Sequence, residues 1–251
     1  MKIRRYRTPE KYMLTSGNSD LRSTGIYTWS IPAYSVKLTS GKTFQTCPMA
    51  GACASLCYAR SGTYQFSNVK AAHVANLERV LDDRDRWQRD MIAELRHPRY
   101  RRRNVRIHDS GDFFDEDYFT RWLYIVAVTP RTFFYAYTKQ VALIKRHRLP
   151  DNLRVIFSLG GKEDHLVDRD VDRHSDVFPN HEVLVAAGYT DQEDDDLLAA
   201  VMENNRVGIV ANNIPHLLKK QGGETFGTME AARRVKVELN RSGRARVENP
   251  A

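Results

Sequence analysis

Thiols are scarce in this chain. It has three cysteines among 251 residues, Cys47, Cys53 and Cys57, all in the segment TCPMAGACASLCYARSG. Three cannot pair completely, so a disulfide framework is not expected, and so small a supply fits a reducing compartment. Long apolar runs are missing too: no stretch approaches the roughly 20 apolar residues that a membrane-spanning helix needs. The first residues, MKIRRYRTPEKYM, are basic but lack the apolar core of a secretory signal. The expectation is a cytoplasmic protein with no membrane partner. Internal repeats are absent, as is any linker rich in Gly, Pro or Ser. One α/β domain over 1–251 is expected: an N-terminal extension and hairpin at 1–42, a βα core at 43–240, and a basic tail at 241–251.

Against these absences stand 41% hydrophobic and 28% charged residues, enough for one large core, and a formal net charge of +8. The densest basic run is RHPRYRRRNVR, holding Arg96, Arg99, Arg101, Arg102, Arg103 and Arg106. It reads as a solvated connection between a helix and a strand. The other reading is a phosphate-binding patch for nucleic acid.

The pattern begins with β segments, IYTWSI and YSVKL, and a short TFQT leading into the cysteines. Two helical stretches follow, SNVKAAHVANLERVL and RDRWQRDMIAEL. Val69, His73, Leu77 and Val80 share a face on the first, and Trp87, Met91 and Leu95 on the second. Strands and helices then alternate. NVRIHD is followed by DEDYFTRWLYIVAVT, with Asp115 as N-cap. TFFYAYT is followed by KQVALIKRH, and LRVIFSL comes next. HEVLVAAG reads as a strand before a helix in DQEDDDLLAAVMEN. RVGIVAN reads as the last strand, before a closing helix with Gly243 near its C-cap. Residues 162–176 are too polar to assign. With TFQT as the first, six strands alternate with helices, which predicts a mainly parallel sheet, open or curled into a partial barrel.

Polar and glycine residues collect just after the apolar strands: Asp109-Ser110-Gly111-Asp112, Tyr137-Thr138-Lys139, Ser158-Leu159-Gly160-Gly161, Gly188-Tyr189-Thr190-Asp191 and Asn212-Asn213. In a parallel array the strand ends share one rim, where sites are built. Turn chemistry accounts for some of these residues, but not for Lys139 or the tyrosines. His108, beside Asp109, reads as a core histidine near that rim, with a catalytic role as the rarer alternative.

The cysteines have the spacing C-x5-C-x3-C. Zinc sites prefer two-residue spacing and four ligands, and no histidine lies in the loop; His73 is one helix on. A catalytic thiol needs one cysteine and a base. A tight loop of thiolates among the small residues Ala50, Gly51, Ala52, Ala54 and Ser55 suits a [4Fe–4S] cluster, and the missing fourth cysteine would leave one iron open. Zinc and plain thiols remain the alternatives.

A three-cysteine loop after the first strand, then a helix and further βα units, resembles the radical S-adenosylmethionine superfamily. The resemblance implies a partial (β/α)6 barrel with a short N-terminal β extension, a [4Fe–4S] cluster on Cys47, Cys53 and Cys57, and S-adenosylmethionine on the open iron. Ser110, Gly111 and Asp112 then fall where the cofactor's methionine moiety is held; the turn-forming role of Asp112 stays open beside this. Tyr137, Lys139 and Ser158 complete the expected cofactor-binding set, Lys139 either binding a carboxylate or phosphate or standing at an exposed helix start. The superfamily's commonest spacing is C-x3-C-x2-C, with an aromatic residue before the last cysteine. Here Leu56 precedes Cys57 and Tyr58 follows it.

CPMAGACASLCYARSGTYQFSNVKAAHVANLERV and IHDSGDFFDEDYFTRWLYIVAVTPRTFFYAYTK are similar to the phage family called gene product eighty-eight, over about residues 25–160. That likeness implies a phage origin and action in the host cytoplasm, and it implies no settled activity. An enzyme, a non-enzymatic redox or regulatory cluster protein and a nucleic-acid-associated protein are the three functional classes the sequence allows.

Overall fold

The computed structural model describes residues 12–16, 24–192, 195–211 and 214–248. Its centre is a seven-stranded, all-parallel sheet. The strands are β1 (Ile26–Trp29), β4 (Asn104–Ile107), β5 (Phe133–Thr138), β6 (Leu153–Ser158), β7 (His174–Phe178), β8 (Thr190–Asp191) and β9 (Arg206–Val210), in the order β1-β4-β5-β6-β7-β9-β8. Six of them lie side by side in chain order, and only the two-residue β8 is displaced, to the edge beyond β9. No reversal of winding occurs among those six, so their carboxyl ends form one continuous rim.

Alternation along β5 shows how the two faces are filled. Phe134 and Ala136 belong to a large core with Trp29, Trp87, Tyr118 and Trp122, while Tyr135 belongs to a small core on the other face, with Ile26, Ile156, Ala199 and Ala200. The large core is closed by α2 (Ser67–Asp82), α3 (Arg84–Leu95) and α4 (Glu116–Ala127). Asp83 caps α3 by accepting from Arg86 N at 2.8 Å, and Asp115 caps α4 by accepting from Tyr118 N at 2.8 Å. Glu94, on the inner face of α3, is wholly buried. It accepts from Met13 N (2.6 Å), Leu14 N (3.0 Å) and the Tyr100 hydroxyl (2.6 Å), which ties residues 12–16 to the core.

Several sequence expectations change. Thr43–Gln45 is not the first strand of the parallel sheet. It is β3, paired antiparallel with β2 (Ser35–Lys37) in a separate hairpin, and the sheet's first strand is IYTW. Its residues alternate exposed, half-buried and exposed, too thin a face for a central parallel strand. HEVLVAAG is not a strand: His181–Ala186 is helix α6, capped by Asn180 Oδ1 on Val183 N at 2.9 Å, with only Leu184 turned inward. The strand lies just before it, in polar HSDVF, because its polar groups have partners. His174 bonds the Asp172 carbonyl and the Tyr189 hydroxyl, and Asp176 receives the Gly227 N–H and the Thr225 hydroxyl. Gly188-Tyr189 therefore ends a helix rather than a strand.

Among the described residues of the acidic segment 191–204, only α7 (Leu198–Val201) is helical, and Thr190–Asp191 is strand β8. The closing helix α9 (Phe226–Glu248) runs straight through Gly243, which is not its cap; α8 (Pro215–Gln221) precedes it. Asn212 and Asn213 lie outside the described residues. Among the described residues, no helix is long and apolar enough to cross a membrane.

Candidate functional site

Between β3 and α2 the chain makes the cysteine loop, which includes one turn of helix, α1 (Cys53–Leu56). Other parts of the chain clamp it. Gly51 N and Cys53 N both donate to the Gly160 carbonyl, at 3.1 and 3.2 Å, and Lys162 N donates to the Met49 carbonyl at 2.9 Å. Ala50 forms an antiparallel bridge with Gly161. From α9, the buried Glu230 accepts from Ala52 N at 2.7 Å while Arg233 holds its other oxygen at 2.6 Å. Gly51 is required here by space: a Cβ would sit 2.1 Å from Glu230 Oε2.

The clamped loop forms one wall of a cavity of about 160 Å³ under the rim. Cys47, Cys53 and Cys57 line it together with Ser110, Gly111, Asp112, Tyr137, Lys139 and Ser158. All nine residues singled out from the sequence thus meet in one space. The cysteines are unpaired and half-buried, with Tyr34 N donating to Cys47 Sγ at 3.3 Å. Burial pushes all three thiols above their ordinary pKa, and the Asp112 carboxylate adds to this at Cys47. At Cys53 the Lys139 ammonium opposes it; at Cys57 the Ala59 N–H does so, ahead of Lys139.

The opposite wall is braced internally. Asp112 accepts from the Thr138 hydroxyl (2.6 Å), Phe113 N (2.7 Å) and Lys139 N (3.0 Å), which locks the end of β5 to the loop after β4. Burial raises its pKa to about 6 despite those bonds. The adjoining Gly111 has φ +91°, and a Cβ there would meet Ile31 Cγ1 at 2.3 Å and the Ile31 carbonyl at 3.2 Å. Gly111→Ala therefore combines left-handed strain with a clash against the Ile31 side chain, and we expect a loss of about 3 kcal/mol of stability, read as a lower urea midpoint with unchanged slope.

His108 also borders the cavity, at φ 66°, a conformation that costs a non-glycine residue about 1 kcal/mol or more. Burial lowers its pKa to about 3, so the ring is neutral at physiological pH. Its Nε2 lies 2.9 Å from the Tyr118 hydroxyl, which itself accepts from Trp29 Nε1 at 2.8 Å. This ties the rim to the aromatic core and fits the core-histidine reading. His73 does not border the cavity; it packs against Tyr64.

Arg106 was missed as part of the site. Read as one of a solvated basic run, it instead points away from the large core, since it alternates with the buried Val105 and Ile107. That period-two placement was the available signal. Its guanidinium pairs with Asp196 at 2.7 Å and Asp109 at 3.2 Å and lies over the Tyr137 ring. Tyr64 donates to Asp109 at 2.6 Å, Tyr135 donates to Asp196, and Tyr137 donates to Gln192 at 2.8 Å. This network floors a second cavity of about 370 Å³, which shares Tyr58, Arg106, Asp109, Val177, Ile209 and Phe226 with the first. The two are adjoining parts of one cleft. The other arginines of the run are exposed, and Arg99 sits over the rings of Tyr12, Tyr27 and Tyr100.

Among the described residues, no group of three or more His, Cys, Asp or Glu converges closely enough to hold one metal ion.

A family model described as Gene product 88 matches residues 10–241. The Gene 88 protein of Mycobacterium phage L5 is 36% identical over 137 residues, covering 50% of this chain and 56% of that protein. The alignment thus spans about half the length of each. No solved structure matches. The family match takes in the parallel sheet, the cysteine loop and the helix that clamps it, so the chain belongs to the Gene product 88 family of phage proteins.

Proposed function

We propose that the protein is an iron–sulfur protein whose Cys47, Cys53 and Cys57 hold a [4Fe–4S] cluster with one iron left for an outside ligand. The observation that carries this is the meeting of Cys47, Cys53 and Cys57 in the lining of one cavity. A cluster meets each thiolate with a different iron, so three cysteines of one short loop facing one cavity are a fitting ligand set. Cys47, Cys53 and Cys57 would be the ligands. Asp112 and Gly111 shape the wall facing them, and the clamp from Gly160 and Glu230 keeps the loop in place. One-electron transfer to a ligand at the open iron is the chemistry that such a cluster supplies.

The finer reading is a radical S-adenosylmethionine-like enzyme built on a partial (β/α)6 barrel and acting in the host cytoplasm. Six parallel strands in chain order, with the cysteine loop at their carboxyl-end rim, support it. The test is anaerobic purification with iron and sulfide analysis and EPR, with and without S-adenosylmethionine, followed by turnover with a strong reductant. The expected result is a full cluster complement, an EPR change on adding S-adenosylmethionine, and 5′-deoxyadenosine as product. A folded, colourless, iron-free protein overturns the cluster. A cluster indifferent to S-adenosylmethionine overturns the finer reading alone.

A second reading, a non-enzymatic redox or regulatory cluster protein, is favoured by one observation. The strand-end motif is engaged within the protein, since both Asp112 oxygens and the Ser110 carbonyl already accept hydrogen bonds from Phe113, Thr138, Lys139 and Ile31. A nucleic-acid partner belongs with this reading. The exposed arginines at 96–103 would carry it, and binding that weakens steeply with salt would reveal it.

A further inference from the structure

Lys139 is held with unusual completeness. Its ammonium donates to the Ser158 carbonyl (2.8 Å), the Ser158 hydroxyl (3.0 Å) and the Leu159 carbonyl (2.9 Å). An ammonium has three protons, so its hydrogen bonds are satisfied, yet all three acceptors are neutral, and the Asp112 and Asp164 carboxylates that feel its charge make no contact ion pair with it. The neighbouring carboxylates are occupied with backbone: Asp112 takes Lys139's own N–H, and Asp164 takes Gly160 N and Gly161 N at 2.7 and 2.9 Å. The cavity wall that this cation shares carries Cys47, Cys53 and Cys57. A half-buried cation fixed in place, with no carboxylate in contact among the described residues and on the wall of a cavity lined by three cysteines, is complementary to an anion bound by those thiols.

We propose that Lys139 is the fixed counter-charge of the cluster and raises its reduction potential. The inference rests on the cluster reading above. A 2+ core on three thiolates has net charge −1, and one electron taken from dithionite makes it −2. A cation already in position stabilises the more negative state, and because Ser158 and Leu159 hold it there, no reorganisation is needed when the electron arrives. Lys139 acts through the cluster's electrostatics and touches no reacting atom, so it is a positioning residue.

The test is an anaerobic redox titration with dithionite, followed by EPR, of reconstituted wild type, Lys139→Met, Lys139→Gln and Lys139→Arg, with iron and sulfide counted on each sample. Glutamine keeps an N–H donor for the Ser158 and Leu159 carbonyls without the charge, so it carries the test if the methionine variant does not fold. The expected result is full cluster loading in every folded variant. At a fixed potential the reduced-to-oxidised ratio should fall about tenfold for Met and Gln, equivalent to about 59 mV for one electron, with Arg close to wild type. A neutral variant that loads fully and titrates like wild type overturns the proposal and leaves the cluster reading intact. A wild type that takes up no iron overturns both.

Discussion

Serine in place of Cys53 should leave a folded protein that has lost more than nine-tenths of its iron after reconstitution. The swap preserves shape and removes softness: a serine hydroxyl does not ionise near neutral pH, and its hard oxygen is a poor match for iron in a sulfide cluster. The fold should tolerate the change because the loop is held by its backbone. The Cys53 N–H to Gly160, the Ala52 N–H to Glu230 and the Ala50–Gly161 bridge all survive it. Cys57→Ser should behave alike. Cys47→Ser should lose iron too, with a small stability change, since its sulfur accepts the Tyr34 N–H. Iron and sulfide per chain, set against the thermal midpoint by circular dichroism, separate loss of ligand from loss of fold. Wild-type iron content in all three variants would defeat the assignment.

The largest loss of stability should come from a residue far from the cleft. Glu94→Ala strands two backbone N–H groups and a tyrosine hydroxyl at a position with no solvent exposure. Each orphaned buried donor costs about 1–3 kcal/mol, so a total of about 4 kcal/mol is expected, before any cavity term. Residues 12–16 lose their anchor as well, leaving the pair of backbone bonds between Thr15 and Thr28. Urea denaturation should show the lower midpoint, and limited proteolysis should cut near residue 14 sooner than in wild type. Resistance to cleavage equal to wild type would show that the anchor lies elsewhere.

The site was more legible than the elements that frame it. Cysteine clustering and polar strand ends survive as linear signals, because strand ends of a parallel sheet face one way however the helices are drawn. That is why Cys47, Asp112, Lys139 and Ser158 meet as expected. The failures have a common cause in polar groups whose partners lie far along the chain. HSDVF is a buried strand only because Tyr189 and the start of α9 satisfy His174 and Asp176. HEVLVAAG is apolar enough for a strand, but Asn180 at its start favours a helix. Glu230, one of three glutamates in a basic helix, has no local mark of its contact with the cysteine loop.

That contact joins Ala52 to a side chain 178 residues later. At a synthesis rate of about 5–20 residues per second, the loop leaves the ribosome roughly 10–35 seconds before its clamp exists. The thiols therefore spend that interval outside their finished cavity, and the wall that holds them closes only after Glu230 has been made. Assembly of this site waits on the 178 residues between loop and clamp rather than on the chemistry of the loop.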